Sequence, residues 1–287
     1  MIMNILVTGA AGQLGKTIEK ISTDSPNRYI FCDVRELDIT DASAVDSFVS
    51  SNRIDVIVNC AAFTNVDKAE ETPEVAELIN HKAVADMARI AKKHDAVLIQ
   101  ISTDYVFDGT SNVPYEDDAQ THPLSVYGRT KADAETAVVQ SGCRYIIIRT
   151  SWLYGIEGAN FVKTIIAKSA EQPALEVIND QIGSPTYAED LAYLIFRIIE
   201  DDMLDRTGIY NYSNEGVCSW YDFAHEICRQ SGNLCDVFPC RTDEYPRKAV
   251  RPHYSVLDKS KVKKTFGVEI PHWKDSLIIC MDILNEK

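Results

Sequence analysis

The sequence lacks any long apolar run. Nothing in its 287 residues approaches the roughly 20 consecutive apolar positions that a membrane-spanning helix needs, so membrane association is not expected. Basic side chains are scarce. Against 43 Asp and Glu stand 29 Lys and Arg, a net charge of −14 at pH 7. Nucleic acids and anionic membrane surfaces call for a basic face, so neither is an expected partner. An anionic small molecule would need a local basic patch. Metal-type cysteine spacing is missing too. Cys32, Cys60, Cys143, Cys218, Cys228, Cys235, Cys240 and Cys280 include no C-x-x-C pair, and no histidine pair completes a zinc pattern. The thiols read as reduced structural residues and no metal is expected. His81, His94, His122, His225 and His272 belong to no motif. The first residues carry no basic segment leading into an apolar stretch and a cleavage site, and Gly9 interrupts the first apolar run. The expected location is the cytoplasm. Repeats, low-complexity tracts and long linkers are also missing, which favours one compact body.

What is present is an alternation. Short β-branched runs at Ile5–Val7, Tyr29–Cys32, Val56–Cys60, Val97–Ile101 and Tyr145–Ile148 are separated by amphipathic stretches such as Val75–Lys93 and Ser125–Gln140. Strands alternating with helices predict βαβ units, and hence an α/β fold with a parallel sheet covered on both faces. After Thr150 the pattern loosens. Helices are expected over Asn160–Ser169 and Ala188–Glu200, and from Asn233 onward short elements separated by Pro, Arg and Tyr predict a smaller, loop-rich lobe.

The first strand runs into Thr8-Gly9-Ala10-Ala11-Gly12-Gln13-Leu14-Gly15. Glycines in the G-x-x-G-x-x-G arrangement, after a strand and before a helix, suit a turn that a dinucleotide pyrophosphate approaches closely. The helix start offers free N–H groups and its positive end to the phosphates. Gly9, Gly12, Gln13, Leu14 and Gly15 are therefore candidate cofactor residues, in a doubly wound Rossmann-type sheet. Asp33 lies about 20 residues further on, where an acid can hold ribose hydroxyls. Arg35 could instead meet a 2′-phosphate, so NADH and NADPH both stay open. Asp38 and Ile39 follow in the same loop, either flanking the adenine or simply preceding a helix capped by Asp41.

The glycine spacing resembles that of the extended short-chain dehydrogenase/reductase family. Three further features follow in the order that resemblance implies: Val58-Asn59-Cys60-Ala61-Ala62, Ile101-Ser102-Thr103 and Tyr127-Gly128-Arg129-Thr130-Lys131. Composition alone would supply roughly 0.7 of a Tyr-x-x-x-Lys match; the ordered set carries the argument. The resemblance implies that Ala61, Ala62, Phe63 and Thr64 line the cofactor. The chemistry explains the residue types. Reduction of a ketone leaves negative charge on oxygen, which needs a proton. Tyr127 can donate it, a Lys131 ammonium one turn away can pull the phenol pKa toward the working pH and bind the nicotinamide ribose, and Thr103 can orient the carbonyl.

Around this core the chain is similar to the dTDP-4-dehydrorhamnose reductases over nearly its whole length. The matching stretches are Ser102 to Gly109, Val126 to Lys131, Arg149 to Tyr154, Asn160-Phe161, Ile178 to Thr186 and Arg251-Pro252-His253. The resemblance implies NAD(P)H-dependent reduction of a 4-keto sugar on a nucleotide, with Thr103, Asp104, Tyr105, Trp152 and Arg251 on the substrate side. Arg247, Lys248 and Arg251 form the dense basic cluster of the last third, and Arg forks suit a pyrophosphate. Residues 1–150 are then the NAD(P)-binding domain, and residues 151–287 mainly a substrate-binding lobe from which some segments return to the first. Sugar-nucleotide 4,6-dehydratases carry Asp-Glu where this chain has Asp104-Tyr105, and a tyrosine is a poor base. A 4-epimerase or another nucleotide-sugar ketoreductase stays open. So does a non-catalytic subunit resembling the regulatory β subunit of methionine adenosyltransferase, and so does a homodimer.

Overall fold

The computed structural model describes residues 2–245 and 247–286. The β-branched runs form β1 (Asn4–Thr8), β2 (Arg28–Cys32), β3 (Val56–Asn59), β4 (Val97–Thr103) and β5 (Arg144–Thr150). The second half adds β6 (Leu153–Tyr154), β7 (Ala174–Ile178), β8 (Ile182–Gly183), β9 (Thr186–Tyr187), β10 (Gly208–Asn211), β11 (Cys218–Ser219) and β12 (Asp236–Cys240). Six strands make one parallel sheet in the order β2-β1-β3-β4-β5-β10. The fold class is the expected one. The winding reverses between β1 and β3, and the carboxyl ends of strands at such a switch point form the ligand crevice of open α/β sheets.

The helices are α1 (Gln13–Ile21), α2 (Ala42–Asn52), α3 (Val66–Glu71), α4 (Pro73–Glu77), α5 (Ala83–Lys93), α6 (Val126–Ser141), α7 (Phe161–Glu171), α8 (Ala188–Glu200), α9 (Trp220–Ser231), α10 (Ser260–Phe266) and α11 (Trp273–Asn285). Strand side chains alternate between two cores. Ile5, Val7, Val58, Ile99 and Ile148 face one layer, which includes Ile18 of α1 and Leu191 and Ile195 of α8. Leu6, Ile57, Leu98 and Ile147 face the other, built on Val45, Met87 and Val138 of α2, α5 and α6. A third core, with Tyr154, Val177, Phe223 and Trp273, lies under the second half of the chain.

Two elements differ from the sequence reading. The single helix expected over Val75–Lys93 is broken into α4, a π-helical turn at Leu78–Lys82, and α5. The turn leaves Asn80 fully buried. The loop-rich stretch after Asn233 ends in a 13-residue helix, α11. Trp273, Leu277, Cys280 and Met281 are buried along it, a helical spacing that the Pro- and Arg-rich surroundings obscured.

Candidate active site

At the switch point the glycine loop is packed too tightly for side chains. Gly9 has φ +65°, and a Cβ there would lie 2.6 Å from the Ala61 nitrogen. A Cβ on Gly15 would lie 2.5 Å from the Gly9 carbonyl oxygen. Helix α1 follows Gly12 at its N-cap, with no side-chain cap and no acid in its first turn, so its leading N–H groups are available to an anion. Leu14 offers only backbone here, because its side chain is in the core. The Gln13 side chain is engaged as well, accepting from Asn160 Nδ2 at 2.8 Å.

Ala10 N–H donates to the Cys32 carbonyl at 3.1 Å, which brings the end of β2, and Asp33 after it, beside this loop. Arg35 is exposed. Asp38 accepts from the Thr40 amide and hydroxyl, which hold its carboxyl below the usual range. Ile39 is buried in the core, so its side chain is turned away from any ligand.

At the end of β3, Asn59 accepts from the Thr8 hydroxyl at 2.6 Å and donates to Gln100 at 2.8 Å. It also accepts from the Ala61 amide. Ala61, Ala62 and Phe63 are half-buried and Thr64 is exposed. Asn80 holds this segment. Its Oδ1 accepts from Phe63 N–H at 2.8 Å, its Nδ2 donates to the Phe63 carbonyl at 3.1 Å, and Nδ2 also lies 3.2 Å from the Thr130 hydroxyl of α6. Sequence reasoning missed Asn80. The signal was a polar residue inside an otherwise apolar helical stripe.

Thr103, Asp104, Tyr105, Tyr127 and Lys131 come together where β4 ends against the start of α6. Ser125 caps α6 by accepting from Gly128 N–H at 3.1 Å. Gly128 has to be small, since a Cβ there would meet the Tyr105 carbonyl oxygen. The rings of Tyr105 and Tyr127 meet edge to face with centroids 5.6 Å apart. The Thr103 hydroxyl donates to Asp104 Oδ1 at 3.0 Å and accepts from Tyr105 N–H at 3.2 Å. Below them, Arg149 pairs with Glu135 at 2.7 Å, and the Ser102 hydroxyl donates to the same carboxylate at 2.5 Å. This buried group pins α6 to β4 and β5, and it also escaped the sequence reading.

The electrostatics differ from expectation at one point. Burial pushes the Tyr127 phenol up to about 12; Thr103 opposes the shift and the Asp104 charge adds to it. Lys131 does not pull the phenol down. Its ammonium donates to the Ile101 carbonyl at 2.6 Å, and burial lowers its own pKa to about 8, with Glu135 and Cys60 pulling the other way. Asp104 is pushed up to about 6 by burial, against the hydroxyls of Ser255 and Thr103. Tyr105 is raised, chiefly by burial, with Arg251 opposing.

On the second-half side, Trp152 has φ +49° and stacks on Trp220 with centroids 3.7 Å apart. Gly183 makes room for it, as a Cβ there would lie 2.7 Å from the Trp152 ring. Trp220 then lines a cavity of about 210 Å³ with Phe161, Lys168, Gln181, Arg247 and Arg251. The basic cluster is not free, however. Arg251 Nη2 donates to Asp67 Oδ2 at 3.1 Å, and Lys248 pairs with Glu71. Part of the Ser102–Gly109 signature is structural. Val106 and Phe107 form a small core with Leu257, Phe107 stacks on Tyr115 at 4.2 Å, and Gly109 at φ +75° packs against Pro252. Outside the site, Glu77, His81 and Asp133 bring three ligand-type atoms within 4.8 Å of one another; no sequence motif marked them.

Comparison with known proteins places this arrangement. Residues 3–286 match the family described as RmlD substrate binding domain. The chain is 38% identical over 284 residues to a dTDP-4-dehydrorhamnose reductase of Aggregatibacter actinomycetemcomitans, covering 95% of this chain and 96% of that one. Its fold superposes with TM-score 0.95 on a dTDP-4-dehydrorhamnose reductase structure from Clostridium acetobutylicum, at 42% identity over 98% of this chain and 99% of that one. The TM-score is also 0.95 for the Bacillus anthracis enzyme of that name in complex with NADP, at 36% identity over 99% of this chain and 100% of that one. The chain thus belongs to the RmlD substrate binding domain family, the family of these dTDP-4-dehydrorhamnose reductases.

Proposed function

We propose that this protein reduces the 4-keto group of dTDP-4-dehydro-L-rhamnose to the hydroxyl of dTDP-L-rhamnose with NADH or NADPH. The observation that carries the reading is the hydroxyl pair of Thr103 and Tyr127 above the buried Lys131, at the crevice that the glycine loop opens.

The residues present suit a dinucleotide. Uncapped N–H groups at α1 and the tight Gly9, Gly12 and Gly15 turn suit its phosphates, Asp33 or Arg35 its adenosine ribose, and Ala61 to Thr64 the wall beside it. Lys131 has three N–H donors, and among the described residues its one direct hydrogen bond goes to Ile101, which leaves donors for ribose hydroxyls. The bound cofactor would supply the hydride.

This chain's own work is with the proton. As charge develops on the substrate oxygen, Tyr127 donates its O–H and Thr103 helps hold that oxygen. A phenol at about 12 is fully protonated near neutrality, which suits a donor, and the nearby Asp104 charge helps keep the proton on it. Tyr105 is raised further from the range of a base, which weighs against dehydration chemistry. Trp152 and Trp220 offer aromatic faces to the deoxysugar or the nucleoside.

The test is turnover. Purified protein given dTDP-4-dehydro-L-rhamnose and NADPH should oxidise the cofactor and form dTDP-L-rhamnose. Tyr127→Phe should lower kcat by about a hundred- to ten-thousandfold with cofactor affinity unchanged. Failure of the wild-type protein to turn over would remove the activity, and a Tyr127→Phe variant within a few-fold of wild type would remove Tyr127 as donor.

A further inference from the structure

The basic cluster near the C-terminal end meets an acidic partner that nothing in its own sequence neighbourhood announces. Asp67 lies on α3, directly after the Phe63–Asn65 segment. Its Oδ1 accepts from the Ala249 amide at 3.1 Å, and its Oδ2 accepts from Arg251 Nη2 at 3.1 Å. Arg247 Nη1 lies 3.9 Å from that same oxygen. One turn along α3, Glu71 pairs with both Lys68 and Lys248. Two guanidinium groups are thus gathered at a single carboxylate, and both line the cavity that holds Trp220 and Phe161. Among the described residues, the buried Nε of Arg251 has no hydrogen-bond partner, although buried donors are as a rule paired.

We infer that Asp67 is a positioning residue for the diphosphate of the nucleotide-sugar substrate: it holds Arg247 and Arg251 together at the aromatic cavity and leaves the rest of the two guanidinium forks for phosphate oxygens. The inference rests on the proposed function. Its physical basis is ordering. Two long side chains of like charge repel each other and each has many rotamers. A carboxylate between them offsets the repulsion and fixes one fork before the ligand arrives. The opposing effect is competition, since Asp67 also repels the incoming phosphate. Asp67 engages Arg251 through one N–H of five, which leaves most of the fork for the ligand, so ordering is expected to outweigh competition. Helix α3 follows the segment assigned to the cofactor, so the same contact joins the two halves of the site.

The experiment measures dTDP and NADPH affinity by calorimetry, and steady-state kinetics, for wild type, Asp67→Asn and Asp67→Glu. Asn keeps the acceptor for Ala249 and loses the charge. It should weaken dTDP binding by about tenfold, the scale of one misplaced charge-assisted hydrogen bond. The KM for the keto-sugar should rise by the same factor while kcat at saturation and NADPH affinity stay near wild type. Glu should recover part of the loss. Unchanged or tighter dTDP binding in Asp67→Asn would show that the carboxylate only competes, and would overturn the inference. Loss of NADPH affinity alongside dTDP affinity would make the role purely structural and overturn it equally. If the wild type neither binds dTDP nor reduces the keto-sugar, the proposed function falls and takes this inference with it. If the wild type does both and the variant matches it, only the inference falls.

Discussion

Replacing Lys131 with methionine should destroy activity and stabilise the protein near neutral pH. The side chain is 3% exposed, and burial brings its pKa from 10.5 to about 8. That fall corresponds to about 3 kcal/mol of preference for the uncharged amine in the folded state. Its sign follows from proton counting. Below about pH 8 the lysine is charged whether folded or unfolded, and the folded state bears the full desolvation cost. Between about 8 and 10.5 the unfolded chain binds more protons than the folded one, so stability contributed by this group rises with pH. Methionine is similar in length and has no charge to bury. The Ile101 carbonyl is not orphaned by the change, since Gln100 Nε2 also donates to it at 2.7 Å. The variant without cofactor should therefore unfold roughly 6–12 °C above wild type near pH 7, at about 2–4 °C per kcal/mol for a chain of this size. Most of that gap should close near pH 10. Paired thermal melts at the two pH values, with turnover measured at the lower one, decide the matter. A gap independent of pH would mean that Lys131 bears no desolvation cost, and the electrostatic account of the site would fail.

How much of this was visible in the sequence depends on the distance over which each signal acts. Strands β1, β3, β4 and β5 were legible because each is a β-branched run largely buried on both faces, and β2, half-buried at the sheet edge, because it is a short apolar run. The glycine turn, Thr103, Tyr127 and Lys131 were legible because each sits in a short motif whose spacing reflects one strand end or one helical turn. β10 was not. Gly208–Asn211 is four residues long, and its place beside β5 is set by pairing with Ile146–Arg149, some 60 residues earlier. Asp67 and Arg251 are 184 residues apart, and no local pattern in α3 marks one acid as the partner of a distant arginine. The charge states were the least legible part. A lysine four residues after a tyrosine reads as a cation that lowers the phenol pKa, whereas the folded chain buries the lysine and half-buries the tyrosine. Desolvation then dominates each group, and a sequence does not state burial at the level of single atoms.

Two further perturbations probe how the cofactor is held. Asn80→Ala removes the hydrogen bonds to both backbone groups of Phe63 and to Thr130, so the cofactor KM should rise about tenfold while the substrate KM changes little; an unmoved cofactor KM would show that the segment Ala61–Thr64 keeps its shape unaided. On the proposed reading, the preference between NADH and NADPH turns on two residues just after β2. Asp33 is half-buried and can accept from the ribose hydroxyls, and it repels a 2′-phosphate. Arg35 is exposed and, among the described residues, engages no ion pair, so it can swing to a 2′-phosphate. Contacts of this exposed kind are each worth about 1 kcal/mol or less. They oppose each other, so kcat/KM for the two cofactors should differ by less than about tenfold. Removing one arm should expose the other. Asp33→Ala should shift the ratio toward NADPH and Arg35→Ala toward NADH, each by up to about fivefold. The measurement is kcat/KM for both cofactors in all three proteins. A thousandfold preference in the wild type, or shifts in the opposite directions, would mean that the 2′ position is read elsewhere, by groups more buried than these two.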